Sequence, residues 1–397
     1  MVKSDAELRL ALVGASIRGV AMSQCMAEHA PVRVVGVADP SAAALDRARK
    51  RFGAEGIVYA SSDAELYRQV ESDAVLIASG DPYHVENAEQ ALAHGRDVFL
   101  EKPVAQDMDG LRRLMRAWNA SGSVLMAGLE LRQCVVFVEM KRLLDAGAIG
   151  RVIMAHAMDN VSVGGKYFFH NQYRHRSYVR SLVLQKGTHT IDLLNWFVDA
   201  RPRRVFCLSG QNVYGKTEPD TRRCRACEKA GACRHAVRNR QTRTDFGEIQ
   251  KLDDLCVFAK GADVDDNSMV LIDYDNGARA YYGECHFTPE YTREFTLIGD
   301  QGKMTGFYNN ECEFKIEVIR NDSPRDTRVV RPRPTLTSDG HGGSDALAMI
   351  EFVRRVRARD RAAAEFHQVL DGTAIAIAAT DSAEQGMPVA IPDWRTT

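Results

Sequence analysis

Between Leu8 and Ala127 short apolar runs alternate with helix-patterned segments, and that alternation limits the fold more than any other feature of the chain. Leu8-Arg9-Leu10-Ala11-Leu12-Val13 is followed by Gly14 and a helical pattern to about Glu28. Val32–Ala38 is a second apolar run, closed by Asp39-Pro40, with Ser41 placed to cap an Ala/Arg/Leu-rich helix. Asp73–Ala78 leads into Gly80-Asp81-Pro82 and a helix from about His84 to His94. Asp97–Leu100 and Ser123–Ala127 read as further strands, the second after a helix ending near Ala120. Repeated βα units with continuously apolar strands predict an α/β domain, a doubly wound parallel sheet covered by helices on both faces.

From about Arg151 the pattern changes. Strand-like segments follow one another: Val152–Val163, Arg203–Val213, Ser268–Asp275, Ala278–His286, Arg293–Gly299, Lys303–Phe307 and Glu313–Arg320. Turn signals such as Asp275-Asn276-Gly277 separate them, and a helical segment, Thr190–Val198, lies near the start. This predicts an α+β domain with a large, mostly antiparallel open sheet. Helical patterns at Ser344–Arg357 and Phe366–Gln385 close the chain, and the Arg/Pro-rich Pro324–Pro334 reads as a surface loop. The expected boundary puts residues 1–128 in the first domain and 129–397 in the second, with the closing helices able to pack back on the first.

Composition narrows the function classes. The 397 residues are 45% apolar and 26% charged, ordinary for a globular chain with room for two cores. With 52 basic against 53 acidic residues there is no polyelectrolyte signature for nucleic acid. No apolar run approaches the roughly 20 residues that cross a bilayer. The opening MVKSDAELRL has no apolar signal core, so a cytoplasmic protein with no membrane partner is expected. Nine cysteines, an odd number, fit thiols or a metal site in a reducing compartment better than a disulfide framework.

Gly14-Ala15-Ser16-Ile17-Arg18-Gly19 stands directly after the first strand, where a dinucleotide-binding Rossmann domain carries its phosphate loop. The first glycine permits the tight turn and the last permits close helix–strand packing. Ser16 replaces the middle glycine; it is small enough for the backbone to approach a pyrophosphate and adds a hydroxyl donor. Asp39, about 20 residues further on, is in reach of the adenosine ribose hydroxyls and would repel a 2′-phosphate. NAD is therefore expected ahead of NADP, with Ser41 and Arg18 the residues that speak for the phosphorylated form. The bland reading is an ordinary strand–helix turn followed by a surface aspartate.

Glu101-Lys102-Pro103 ends the strand at Asp97–Leu100. Together with Asp81-Pro82 and His84, Gly147-Ala148-Ile149-Gly150-Arg151, Gly187-Thr188-His189-Thr190-Ile191-Asp192, Gly342-Gly343-Ser344-Asp345 and Asp371-Gly372, this segment resembles the Gfo/Idh/MocA family of sugar and polyol oxidoreductases. The resemblance spans nearly the whole chain. It implies a second domain that carries the substrate and the oligomer interface, so a homodimer or homotetramer is expected. It also implies cofactor contacts at Ser79, Asp81, His84, Glu101 and Lys102, beside Gly14, Ser16, Ile17, Arg18, Gly19 and Asp39.

Oxidising a carbinol carbon requires a base for the hydroxyl proton. Lys102, partly desolvated, could polarise the carbonyl oxygen as an ammonium or relay a proton, with Glu101 orienting it and Pro103, cis or trans, stiffening its turn. The resemblance places His189 against the substrate as an acid/base partner; the alternative is a helix cap. Many members of the resembled family carry an aspartate four residues before this histidine, where this chain has Gln185 followed by Lys186, so the implied proton relay runs through Lys102, Lys186 and His189. The cationic and aromatic stretch Lys166–Arg180 precedes that segment. In it Tyr167, Arg174 and Arg176 are candidates to hold a carbohydrate-like, anionic substrate, beside Gln185, Lys186, His189 and Lys102. A basic loop packed on a neighbouring subunit is the competing reading.

Cys224-Arg225-Ala226-Cys227 and Cys233 have the spacing of a zinc knuckle, with Cys256, His235 or Cys207 as fourth ligand; free thiols, a disulfide or an iron–sulfur site are the alternatives. The family resemblance favours Cys256, in Cys256-Val257-Phe258. A zinc there would be structural, tying down the irregular Tyr214–Asp266 stretch. Three functions follow: an NAD-dependent dehydrogenase of a sugar, sugar acid, polyol or cyclic alcohol; a redox-neutral NAD-dependent glycosidase working by transient oxidation, elimination, water addition and re-reduction; and a non-catalytic redox sensor. The presence of Lys102 ranks the sensor last.

Overall fold

The computed structural model describes residues 7–162, 164–236, 254–309, 311–334, 336 and 340–393. They fall into two compact units, residues 7–133 with Gly343–Leu370, and Cys134–Gly342 with Asp371–Pro392. Val163, the end of one expected strand, and residues 237–253 of the expected irregular stretch lie outside the described residues, as does the side chain of Lys166.

The first unit holds strands β1 (Leu8–Val13), β2 (Val32–Ala38), β3 (Val58–Ala60), β4 (Ala74–Ile77), β5 (Asp97–Leu100) and β6 (Leu125–Ala127). They form a six-stranded sheet in the order β3-β2-β1-β4-β5-β6 with every pair parallel. Strands β4 and β5 are buried at every residue, as expected of parallel strands covered on both faces. The covering helices are α1 (Ile17–His29), α2 (Ala42–Phe52), α3 (Asp63–Gln69), α4 (His84–Ala93) and α5 (Met108–Ser121). Ser16, Ser41, Ser62 and Asp107 cap α1, α2, α3 and α5, each accepting a backbone N–H from the third residue on. Neither β3 nor α3 was legible in the sequence. Three residues cannot display a period, and β3 is held as an edge strand by its pairing with β2.

The second unit holds α6 (Val135–Asp145), β7 (Val152–Val161), the single turn α7 (Arg176–Val179), α8 (Thr188–Val198) and β8 (Pro202–Gly210). Strands β9 (Asn267–Tyr274), β10 (Arg279–Cys285), β11 (Tyr291–Gly299), β12 (Gly302–Asn309), β13 (Lys315–Arg320) and β14 (Thr327–Val330) follow. Helix α9 (Ser344–Ala358) belongs to the first unit, α10 (Ala363–Gln385) is divided between the two, and β15 (Val389–Ala390) ends the second. The nine-stranded sheet runs β14-β13-β12-β11-β7-β10-β9-β8-β15, antiparallel except for the central β7–β10 pair. Strand β14 corrects the expectation that Pro324–Pro334 is all loop: its main chain pairs with β13 although its side chains stay largely in water.

Burial alternates along β7 and β9, so one face of the sheet meets α6 and α8 and the other is open. Under the helices Phe137 packs with Phe197, Phe295 and Tyr308. At one end of this covered face the apolar rows give way to a polar one. Ser268, Glu284, Asp159, Arg293 and Tyr308 stand side by side across β9, β10, β7, β11 and β12.

Candidate active site

In the first unit the loop after β1 faces the loop after β4, the point where strand order reverses and doubly wound sheets bind ligands. Gly14 has φ +90°, and a Cβ there would collide with the backbone of Ala78 and Ser79. A Cβ on Gly19 would meet the Gly14 carbonyl and lie 2.9 Å from the Ala78 side chain. Both glycines are therefore demanded by close approach, the role read from the motif. Ile17 and Arg18 open α1, whose N-terminus presents backbone N–H groups.

Several side chains expected to contact the cofactor also bind the protein's own loops. Ser16 donates its hydroxyl to the Ala78 carbonyl (3.0 Å) and accepts from the Gly19 N–H (3.0 Å), so it caps α1 rather than offering a free donor. Asp39 accepts from the Ala15 N–H and the Ser41 N–H, both at 2.8 Å, pinning the phosphate loop to the end of β2. His84 is buried with its two ring nitrogens on the carbonyls of Pro103 (2.8 Å) and Ser79 (3.0 Å). It braces the two loops and is closed to a ligand. The Ser79 hydroxyl donates to Asn87 at 2.7 Å.

Arg18 is held by carboxylates. Its Nε meets Glu101 at 3.0 Å, and its Nη2 meets Asp345 at 2.8 Å and Glu130 at 3.8 Å. Burial opposes its charge, but the three carboxylates outweigh that and hold the guanidinium well above its usual range. Arg18 thus neutralises a buried acidic cluster and is not placed as a phosphate ligand. Glu101 also accepts the Lys102 N–H at 3.3 Å, and the Lys102–Pro103 peptide is cis. Asp81 is buried, and desolvation raises its carboxyl although His84 and Lys102 pull the other way.

In the second unit Gln185 and Lys186 lie in a π-helical turn, Val183–Gly187, that runs directly into α8. His189 is the second residue of α8, which removes the helix-cap reading; Gln185, Lys186 and His189 are all buried. Gly187 is needed for this close approach, since a Cβ would lie 2.9 Å from the Tyr282 ring. The Thr190 hydroxyl bonds both oxygens of Asp159 at 2.9 Å, tying α8 to β7. Tyr282 bonds Asp159 (3.1 Å) and Glu284 (3.0 Å), and Arg293 lies 3.5 Å from Asp159. Lys186 Nζ donates to the Tyr291 hydroxyl at 3.0 Å, and the His189 and His341 rings are 6.3 Å apart.

Tyr282, Glu284, Tyr291, Arg293 and His341 escaped the sequence reading because they are scattered among strand residues. Alternation marks which face they share but not that the face turns polar.

The expected substrate cations behave otherwise. Arg174 is wholly buried with its guanidinium on the carbonyls of Phe169, Cys256 and Ala259. Arg176 is bound to the Asp263 carbonyl and Asp265. Both hold the 254–266 segment in place, so neither is placed as a substrate clamp. Tyr167 is half-buried in a π-helical turn, Gly165–Phe169, against an apolar cluster with Phe168 and Tyr214 at its centre.

Burial raises the Cys256 thiol, and Glu218, Cys227 and Cys233 add to that. Yet among the described residues no three of the sulfurs of Cys224, Cys227, Cys233 and Cys256 come within 4.8 Å of one another, and as placed they do not enclose the expected zinc.

A model of an oxidoreductase family's NAD-binding Rossmann fold matches residues 8–129, and a model of the same family's C-terminal alpha/beta domain matches residues 141–391. The chain belongs to the Gfo/Idh/MocA oxidoreductase family. This Gfo/Idh/MocA protein is an NAD(P)-dependent oxidoreductase. It is 25% identical to YteT of Bacillus subtilis over 73% of its own length and 74% of YteT's. It is 33% identical to inositol 2-dehydrogenase 3 of Saccharopolyspora erythraea over 43% of its length, spanning half of that protein. Among solved structures it resembles a levoglucosan dehydrogenase in complex with NADH and levoglucosan (TM-score 0.75, 19% identity, 97% and 100% of the two chains). The myo-inositol 2-dehydrogenase of Lactobacillus plantarum is also similar (TM-score 0.68, 18% identity, 97% and 99%). At those identities the structural likeness speaks for the fold. Among the described residues no helix is long and apolar enough to cross a membrane.

Replacing Arg18 with methionine removes a cation that buried Glu101, Glu130 and Asp345 share. The expected loss is roughly 3 kcal/mol at neutral pH, held to the lower end of the buried-pair range because Arg18 is partly exposed. Glu130 and Asp345 then lose a cation that favours their charged forms, so the deficit against wild type shrinks as pH falls and they protonate. Urea denaturation of the two proteins across that range measures it; a pH-independent difference would count against the cluster.

Proposed function

We propose that this protein is an NAD-dependent dehydrogenase that oxidises a hydroxyl of a sugar, sugar acid, polyol or related cyclic alcohol. The observation that carries the reading is the Glu101-Lys102-Pro103 turn at the carboxyl end of β5, on the ligand-binding edge of a doubly wound sheet. The relatives named inositol 2-dehydrogenase support the substrate class. Bound NAD supplies the hydride acceptor. Gly14, Ile17 and Gly19 form the close-approach turn and helix N-terminus for its pyrophosphate, and Asp39 at the end of β2 disfavours a 2′-phosphate. Engagement of Arg18 by carboxylates leaves it unavailable to a 2′-phosphate, which also supports NAD. Lys102 polarises the oxygen at the reacting carbon, His189 serves proton transfer in the substrate-binding unit, and Lys186 supplies positive charge there.

The redox-neutral glycosidase is kept as a second reading because Lys186, an amine in a buried turn, stands beside His189 where an elimination needs a further acid/base group. Incubation with NAD and a panel of free sugars, polyols and glycosides separates the two. Net NADH without aglycone release is expected; aglycone released with no net NADH would replace the first reading by the second. Lys102→Ala should lower turnover at least about 100-fold in either assay, and full activity would remove Lys102 from the centre.

We also propose a homodimer or homotetramer assembled through the open face of the nine-stranded sheet. Leu208 and Met269 are opposite each other on that face and 61% and 60% exposed, with Leu271 of β9 and, across β10, Met154 of β7 also exposed. Wild type should sediment as an oligomer, and the double variant Met269→Lys, Leu271→Lys as a monomer. Unchanged sedimentation of the variant would exclude this face.

A further inference from the structure

Tyr291 begins β11 on the covered face of the sheet, two residues before Arg293, and its hydroxyl oxygen is approached by two cations. Lys186 Nζ lies 3.0 Å from it and 5.3 Å from the ring centroid; Arg293 Nη2 lies 3.4 Å away. Among the described residues Lys186 has no carboxylate partner, so the ammonium is turned onto the phenol oxygen alone. Two cationic donors on one phenol oxygen occupy its lone pairs and stabilise negative charge there.

The surroundings agree from each side. His341 adds a third group able to carry positive charge, and Val161 and Phe168 supply an apolar wall. The anions of the neighbouring strands are engaged elsewhere: Asp159 by Thr190, Tyr282 and Arg293, and Glu284 by Tyr282, with His286 3.6 Å from it. Burial alone would push the Tyr291 phenol up, but Lys186, Arg293 and His341 outweigh it and bring it down to about 8. Gln185, an amide that cannot act as a base, lies in the same turn that carries Lys186.

We propose that Tyr291 is a further proton-transfer residue of this enzyme, held and charged by Lys186. The inference rests on the dehydrogenase reading. In oxidation the carbinol C–H bond breaks with its electron pair passing to the nicotinamide of NAD. The O–H bond breaks with its proton passing to the Tyr291 phenolate, and the C=O bond forms. The phenol then returns the proton to water, and reduction runs the same steps backward. Lys186 is a positioning residue: it keeps Tyr291 ionised and aimed without itself exchanging the proton.

The pair is tested first without substrate, by titrating tyrosinate ultraviolet absorbance in the apo protein. Of its 12 tyrosines one should ionise near pH 8, and that transition should vanish in Tyr291→Phe. Lys186→Met, which removes the charge, should move it up by at least about one pH unit, a tenfold change. In alcohol oxidation, wild-type kcat/KM should rise with unit slope to a plateau above pH 8, the sign expected of a phenolate base. Tyr291→Phe should fall about 100-fold and lose that dependence while KM changes little. Absence of the early-ionising tyrosine, or a Tyr291→Phe enzyme with wild-type turnover and pH profile, would overturn the proposal. Absence of NAD-linked turnover in wild type beside an intact titration would refute the dehydrogenase reading while leaving the ionised pair standing.

Discussion

Asp159 lies in the middle of the nine-stranded sheet, out of reach of water, and its carboxylate is shared by Thr190, Tyr282 and Arg293. A buried anion without partners costs several kcal/mol, so the second unit is favourable only when all three arrive together. They come from α8, β10 and β11, elements far apart in the chain. Satisfying one carboxylate therefore fixes the height of α8 on the sheet and the register of the central strands. Lys186 and His189 inherit their places from that, because one precedes Thr190 by a turn and the other adjoins it.

The same polar row makes two like side chains behave in opposite ways. Tyr282 lies between Asp159 and Glu284; burial and then both carboxylates push its phenol well above the ordinary range, so it remains a neutral donor. Tyr291 stands in the same row system but between Lys186 and Arg293, and is driven the other way. Arg293 mediates between them, since burial opposes its charge while Asp159 and the two tyrosines, Tyr291 and Tyr308, sustain it. Charge order along the row, not residue type, separates a structural phenol from a reactive one.

In the first unit the polar side chains around the ligand edge mostly serve the loops. Ser16, Asp39 and His84 bind backbone groups, and Arg18 compensates three carboxylates. The glycine turn, the N-terminus of α1 and the turn carrying Lys102 line the same edge. Side chains locked by their own partners hold such a surface rigid, which lowers the ordering cost when a ligand binds.

The sequence by itself determined the parallel and antiparallel halves, the glycine loop after β1 and the lysine turn after β5. Each is written in consecutive residues, as a continuous apolar run, a period of two or a fixed spacing. Short elements escaped, since β3 and the π-helical turns display no period and depend on neighbours. Only the tertiary structure decided which polar residues meet. It withdrew Arg174, Arg176 and His84 into structural bonds, turned Arg18 onto carboxylates and kept the four cysteine sulfurs from converging. It also brought Tyr291 to Lys186 across 105 positions of chain. Spacing along a sequence carries local geometry, but the charge around a side chain is set by residues that only the folded sheet makes adjacent.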